Sequence, residues 1–336
     1  MDKAPGLKII ILLFIIFIIS IILYFSWYYK VEKITTQELE NIQDLFSQED
    51  IELTWELENN SGFPYRIEKE LRNINIKFNS INISTENFKI IYQPWNIHHI
   101  IFKISNNINI FNNNKKITVT NSNLLASFTI NKYLQKKISI SSSNIGFHTN
   151  KSIYDFNKLG LHFKTNDNDD LQFALRIDEL SVPPLFLEKN TLNKLYITGD
   201  VIKYKKIDIN NYYKWLSNEG GINIKNINID INETNIAGNA FLSLDKNLDI
   251  QSSISIHSNN FNDIFTLLEQ NYIISKNTLI KANLIIKAIE IASKTSNKQS
   301  IFSINIRNGY LFLMGIKLLE IPNIREYLWI NPVPQR

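Results

Sequence analysis

Ile51-Glu52-Leu53-Thr54-Trp55-Glu56-Leu57-Glu58 sets an apolar residue against a polar one for eight positions in a row. Successive side chains of a strand point to opposite faces, whereas a helix repeats every 3.6 residues, so this stretch reads as a strand with one face buried. The same period returns in Ile74, Ile76 and Phe78; Ile81 and Ile83; Ile117 and Val119; Ile138 and Ile140; and Ile222 and Ile224. It continues in Ile227, Ile229 and Ile231; Ile250, Ile254 and Ile256; Leu279, Leu284 and Ile286; and Phe302, Ile304 and Ile306. Polar clusters stand between these runs: Asn106-Asn107, Asn112 to Asn114, Asn121 to Asn123 and Asn166 to Asp170. Asn and Asp tolerate left-handed backbone and bond their own main chain, so the clusters read as turns. Strands joined by turns and not by crossover helices predict a mainly β chain, with a large antiparallel sheet shaped as a curved groove or a sandwich.

Three helices are expected beside the strands. Thr35 with Glu38 three residues on forms a capping box for a membrane-proximal helix within 30–50. A second helix runs from about Asp208 to Ser217 and stops at Gly220-Gly221, glycine being the residue best suited to a left-handed cap. A third covers Asn262 to Asn271, where Ile264, Phe265, Leu267, Leu268 and Tyr272 can share a face.

Upstream of the strands, residues 9–29 are uncharged and almost wholly apolar. At 1.5 Å per residue such a run spans about 31 Å, enough to cross a bilayer. The run continues into Tyr24, Trp27, Tyr28 and Tyr29 where a signal peptide would present a small-residue cleavage site, so an uncleaved anchor is expected. Trp27, Tyr28, Tyr29 and Lys30 fit the membrane interface, where amphipathic rings sit at headgroup level and lysine reaches past them. Lysines flank both ends equally, and the length of chain after the helix decides orientation. Residues 1–8 are expected in the cytoplasm, and 51–336, with possible halves 51–190 and 191–336, outside it as an extracytoplasmic β-rich domain.

Charge and residue chemistry narrow the function. Thirty-six Lys and Arg stand against 32 Asp and Glu, an excess too small to indicate a nucleic-acid partner. Without cysteine the chain has no disulfide framework, thiolate metal site or cysteine nucleophile. His98, His99, His148, His162 and His257 include no pair spaced i, i+2 or i, i+4, and neighbours on a strand such as His98 and His99 point apart. Asp167, Asp169 and Asp170 lack the glycine and closing glutamate of a calcium loop. Hydrolase elbows, metalloprotease helices and glycine-rich phosphate loops do not occur, so no catalytic residue, metal or cofactor is expected. Gly62-Phe63-Pro64 reads as a bend with the aromatic ring facing inward, and Tyr92, Pro94 and Trp95 as a break between strands at an edge or bulge.

Five segments carry a resemblance. Ser61-Gly62-Phe63-Pro64-Tyr65-Arg66-Ile67, Tyr92-Gln93-Pro94-Trp95, Trp215 with Gly220-Gly221, Ile236 to Asp245 with Gly238 and Leu244, and Asn308-Gly309 through Leu318 follow one another in order. In that order they resemble the domain of unknown function 2125 family, membrane-anchored bacterial envelope proteins, and the Ile236–Asp245 segment also resembles strands of the broader AsmA-like group. The chain departs from the family pattern in its tail, where only Pro322 follows before Arg325 to Pro334. The resemblance implies a single-pass inner-membrane protein with a periplasmic β domain. Apolar stripes from about fifteen strands need cover, and about three helices cannot supply all of it. Either the sheet closes on itself as an interaction module, or an apolar groove faces membrane lipids, with other envelope proteins as further partners.

Overall fold

The structure is a computed structural model that describes residues 5–48, 50–112, 115–149, 153–166, 169–181, 191–207, 215, 219–245, 249–270, 274–296 and 301–321. The chain divides into two compact units, Met1–Val119 and Thr120–Arg336.

In the first unit the anchor and the membrane-proximal stretch form one helix, α1 (Pro5–Gln48). This corrects the expected helix start at Thr35. No Gly or Pro follows Gly6 anywhere in α1, so nothing interrupts the hydrogen-bond ladder. Thr35 is buried mid-helix and its Oγ1 donates to the Glu32 carbonyl at 2.9 Å.

Six strands follow: β1 (Ile51–Ser61), β2 (Ile67–Phe78), β3 (Ile81–Gln93), β4 (Asn96–Ile104), β5 (Ile108–Asn112) and β6 (Lys115–Thr120). The sheet is antiparallel, β1 on β2, β2 on β3 and β5 on β6. The Asn106-Asn107 cluster does not reverse the chain as expected of a turn. Both β4 and β5 pair with β3, on Phe88–Gln93 and Ile81–Thr85 respectively, so the cluster interrupts one strand that keeps its direction. Tyr28, Val31 and Leu39 recur at helical spacing and bury against Ile67, Leu71, Ile74, Ile90 and Tyr92 of β2 and β3.

The second unit is an antiparallel meander in which each strand pairs with the next in sequence. Its described strands are β7 (Leu124–Ile130), β8 (Lys136–Thr149), β9 (Ile153–Thr165), β10 (Leu171–Ser181), β11 (Thr191–Ile202), β12 (Gly221–Ile231), β13 (Thr234–Leu244), β14 (Ile250–Ser258), β15 (Ile301–Arg307), β16 (Tyr310–Leu313) and β17 (Ile316–Glu320). Asn308-Gly309 and Met314-Gly315 close the last two hairpins with positive φ at both residues, the geometry whose twist matches the strands it joins. Ile222–Ile224 and Ile227–Ile231, read as separate runs, belong to the single strand β12 with a register shift between them.

Two helices separate β14 from β15: α2 (Phe261–Gln270) and α3 (Lys276–Ser296). The strand expected at Leu279, Leu284 and Ile286 lies within α3. Leu279, Ala282, Ile286 and Ile289 follow helical spacing toward the core, while Leu284 is exposed. Ser275 caps the helix, its Oγ accepting the Thr278 N–H at 3.2 Å. With Phe261, Phe265, Phe302, Leu313 and Leu318 these side chains form the unit's buried cluster, Phe261 and Phe302 having ring centroids 3.8 Å apart.

Candidate functional site

The first unit gathers two of the expected motifs around the end of the anchor's apolar run. Antiparallel pairing puts the β1–β2 turn, residues 62–66, and the β3–β4 turn, residues 94–95, at the same end of the sheet. Three residues on one side of α1 donate to carbonyls of those turns: Tyr24 Oη to Pro64, Trp27 Nε1 to Pro94 at 2.9 Å, and Tyr28 Oη to Arg66 at 3.2 Å. Proline carbonyls are free to accept because proline adds no donor and breaks the ladder beside them. Gly62 (φ +94) bends the chain so that the Arg66 N–H reaches the Gly62 carbonyl at 3.0 Å. Phe63 does not face the sheet interior as expected. Its ring lies 4.9 Å from that of Phe25 and 5.0 Å from that of Tyr28, against α1. Pro94 is fully buried beside a register shift at Tyr92/Gln93, where an edge or bulge was expected, and Trp95 is exposed. Of the four interface residues, Trp27, Tyr29 and Lys30 are exposed, whereas Tyr28 is buried in the first unit's core and so departs from the reading of it as an interfacial ring.

A polar network missed by the sequence reading holds the next two turns of α1. Lys69 is fully buried, and its Nζ donates to Thr36 Oγ1 at 2.5 Å and Asn60 Oδ1 at 3.3 Å, while Asn60 Nδ2 donates to Glu32 Oε1 at 2.5 Å. Burial holds the Lys69 amine below the usual lysine range, and Glu32 works against that shift. Burial, reinforced by Glu38, pushes the Tyr92 phenol up to about 12. The signal for Lys69 was present: it alternates with Ile67 and Leu71, on the inward face of β2.

The second unit presents an apolar face built row by row. Cross-strand partners run Ile140, Leu161, Leu175, Ile197, Ile227, Gly238, Ile256 and Phe302 from β8 to β15. Directly opposed residues share a face, so this is one apolar line. A neighbouring row joins Phe163, Phe173, Gly199, Ile224, Ala240, Ile254, Ile304 and Leu313. The reverse face carries Ser139, His162, Ala174, Thr198 and Asn226, with the Lys225–Asp200 ion pair at 2.6 Å. At Phe302, beneath α2 and α3, the apolar row is fully buried, whereas Leu161, Leu175, Ile197 and Ile227 are half-buried. At about 4.8 Å per strand, β8 to β13 extend for roughly 24 Å, longer than one leaflet of hydrocarbon.

The remaining motif residues support this sheet. A Cβ at Gly238 would collide with the Ser255 carbonyl, which explains the glycine within the apolar row. Trp215 donates from Nε1 to the Ile202 carbonyl at 2.7 Å and lies over Gly220, where a Cβ would strike the indole. The expected helix 208–217 otherwise falls outside the described residues. The left-handed residue after it is Glu219 (φ 61), not Gly220 or Gly221, and Gly221 opens β12. Leu244 pairs with Ile250 at the end of β13, and Gly309 sits in the β15–β16 hairpin.

Other chemistry is sparse. Among the described residues no group of three or more His, Asp or Glu is arranged to hold a metal. The Asn166 side chain accepts the Asp170 N–H at 2.9 Å in the β9–β10 turn, Asp169 pairs with Lys205 at 2.5 Å, and Asp167 lies outside the described residues. A cleft of about 740 Å³ at one end of β8–β11 is lined by Asn144, Asp155, Asn157, Glu179, Ser181 and Asn193 together with Ile145 and Phe156.

The helix α1 is long and apolar enough to cross a membrane. Neither the curated proteins nor the solved structures give a match. Residues 36–322 match the model of a family described as an uncharacterized protein conserved in bacteria (DUF2125). That match takes in all the described strands, both turn motifs and the helices α2 and α3, and the chain therefore belongs to the domain of unknown function 2125 family.

Proposed function

We propose that this protein is a non-enzymatic, single-pass anchored protein that binds or passes membrane lipid along the apolar face of its Thr120–Arg336 sheet. In this reading residues 1–8 stay in the cytoplasm, α1 crosses the inner membrane, and the sheets stand in the periplasm. The observation that carries it is the unbroken apolar row from Ile140 to Phe302, half-buried over β9–β12 and fully buried at Phe302 under the helices. Water tolerates such a face poorly, and acyl chains would complete what α2 and α3 begin. That partial helical cover also supports a second reading, in which a partner protein seats on the rest of the face and no lipid binds.

Native mass spectrometry of the full chain, released gently from detergent, tests the choice. The lipid reading expects phospholipid masses retained on the protein and lost from a variant with Leu175→Asp and Ile197→Asp. A lipid-free chain under conditions that preserve the fold would contradict it.

A further inference from the structure

The turns that grip α1 also expose large apolar and aromatic side chains, and the depth of the helix residues they bind fixes where those side chains lie. We infer that the β1–β2 and β3–β4 turns, with the start of β4, form a membrane-seated rim: Phe63, Tyr65, Trp95 and Ile97 enter the boundary between headgroups and hydrocarbon of the bilayer that α1 crosses. The inference rests on the anchoring part of the proposed function and is independent of lipid binding by the second unit.

The apolar run of α1 ends at Tyr29, and about 31 Å of helix from Ile9 uses up the whole hydrocarbon thickness. Tyr24, Trp27 and Tyr28 thus lie within roughly 8 Å of the far boundary, measured along the helix from Tyr29. Each is hydrogen-bonded to a turn carbonyl, of Pro64, Pro94 and Arg66, so those carbonyls share that depth to within the reach of one aromatic side chain and its hydrogen bond. Phe63 packs on Phe25 as well, placing a turn side chain against the lipid-facing surface of the run.

The rim residues are exposed in the protein itself: Phe63 46%, Tyr65 74%, Trp95 60% and Ile97 45%. In water, four such side chains on two adjacent turns and the start of β4 would form an apolar patch with no cover. At a bilayer boundary the same residues are favourable, since Tyr and Trp put the ring in the apolar zone and the polar tip in the headgroups. At the opposite end of these strands the β2–β3 turn itself is Asn79-Ser80, polar and suited to water, with Phe78 beside it as the exposed apolar residue.

Because the chain contains no cysteine, full-length single-cysteine variants carry a nitroxide at one site each. Ile19→Cys, Tyr65→Cys, Trp95→Cys, Ile97→Cys and Ser80→Cys would be placed in phosphatidylethanolamine–phosphatidylglycerol vesicles. Collision rates with oxygen, which concentrates in hydrocarbon, and with a nickel chelate, which stays in water, then report depth. The rim predicts the highest oxygen-to-nickel ratio at position 19, in the middle of the span, intermediate ratios at 65, 95 and 97, and a low ratio at 80. Ratios at 65, 95 and 97 as low as at 80, with position 19 deep, would overturn the rim and leave the anchor standing. A low ratio at position 19 would overturn both.

Discussion

Lys69 occupies a place that the alternation of β2 gives to an apolar side chain, and Thr36, Asn60 and Glu32 around it are spread over α1 and β1. A buried amine is tolerated when hydrogen bonds replace its water, and these partners tie two turns of helix to the sheet. Its neighbour in the core, Tyr92, gives the clearest pH dependence. With the folded phenol pushed up to about 12 and the unfolded one near 10, the folded state keeps a proton that the unfolded state releases between those values. Stability contributed by Tyr92 is therefore whole below pH 10 and falls as pH rises toward 12, by at most about 3 kcal/mol. In chemical denaturation of the full chain, Tyr92→Phe should remove this alkaline decline. An unchanged slope from pH 10 to 12 in the variant would show that another group causes it. The alternation that revealed the inward face was legible in the sequence, but the identity of Lys69's partners was not, because they come from positions 9 to 37 residues away whose approach depends on how α1 docks.

At the scale of elements, the errors of the sequence reading have local causes. Thr35–Glu38 has the letters of a capping box, yet a cap needs a free helix end, and the apolar anchor propagates its helix straight through. Leu284 and Ile286 alternate by coincidence in a run that also satisfies the helical period through Leu279, Ala282 and Ile286, and the cap at Ser275 decides for the helix. The strands were more legible, because Ile filled inward positions and Asn the turns with little ambiguity. The broken strand β4–β5 was not, since a polar pair inside a strand and a polar pair at a reversal look alike in one dimension. The cap offers a direct test: Ser275→Ala should cost about 1 kcal/mol, with Ser275→Asp restoring most of it. Equal melting of the Ala variant and the parent would mean that packing against Phe302 alone sets the start of α3.

For the whole molecule, the motifs singled out in the sequence divide between two tasks. Those at Gly62–Pro64 and Tyr92–Trp95 hold the anchor to the strands of the first unit, and Trp215, Gly220, Gly238 and Gly309 shape the second unit. The sequence exposed the motifs and their order; what each one touches followed only from the register of the strands. In the proposed lipid binding, the apolar face of the second unit meets acyl chains while the reverse face meets water. The decisive measurement places fluorescent labels on single cysteines, at Leu161, Leu175 and Ile197 on one face and His162, Ala174 and Thr198 on the other, with the full chain in vesicles containing lipids spin-labelled on the acyl chain. Strong quenching is expected at 161, 175 and 197 and little at 162, 174 and 198. Equal, weak quenching on both faces would contradict the proposal.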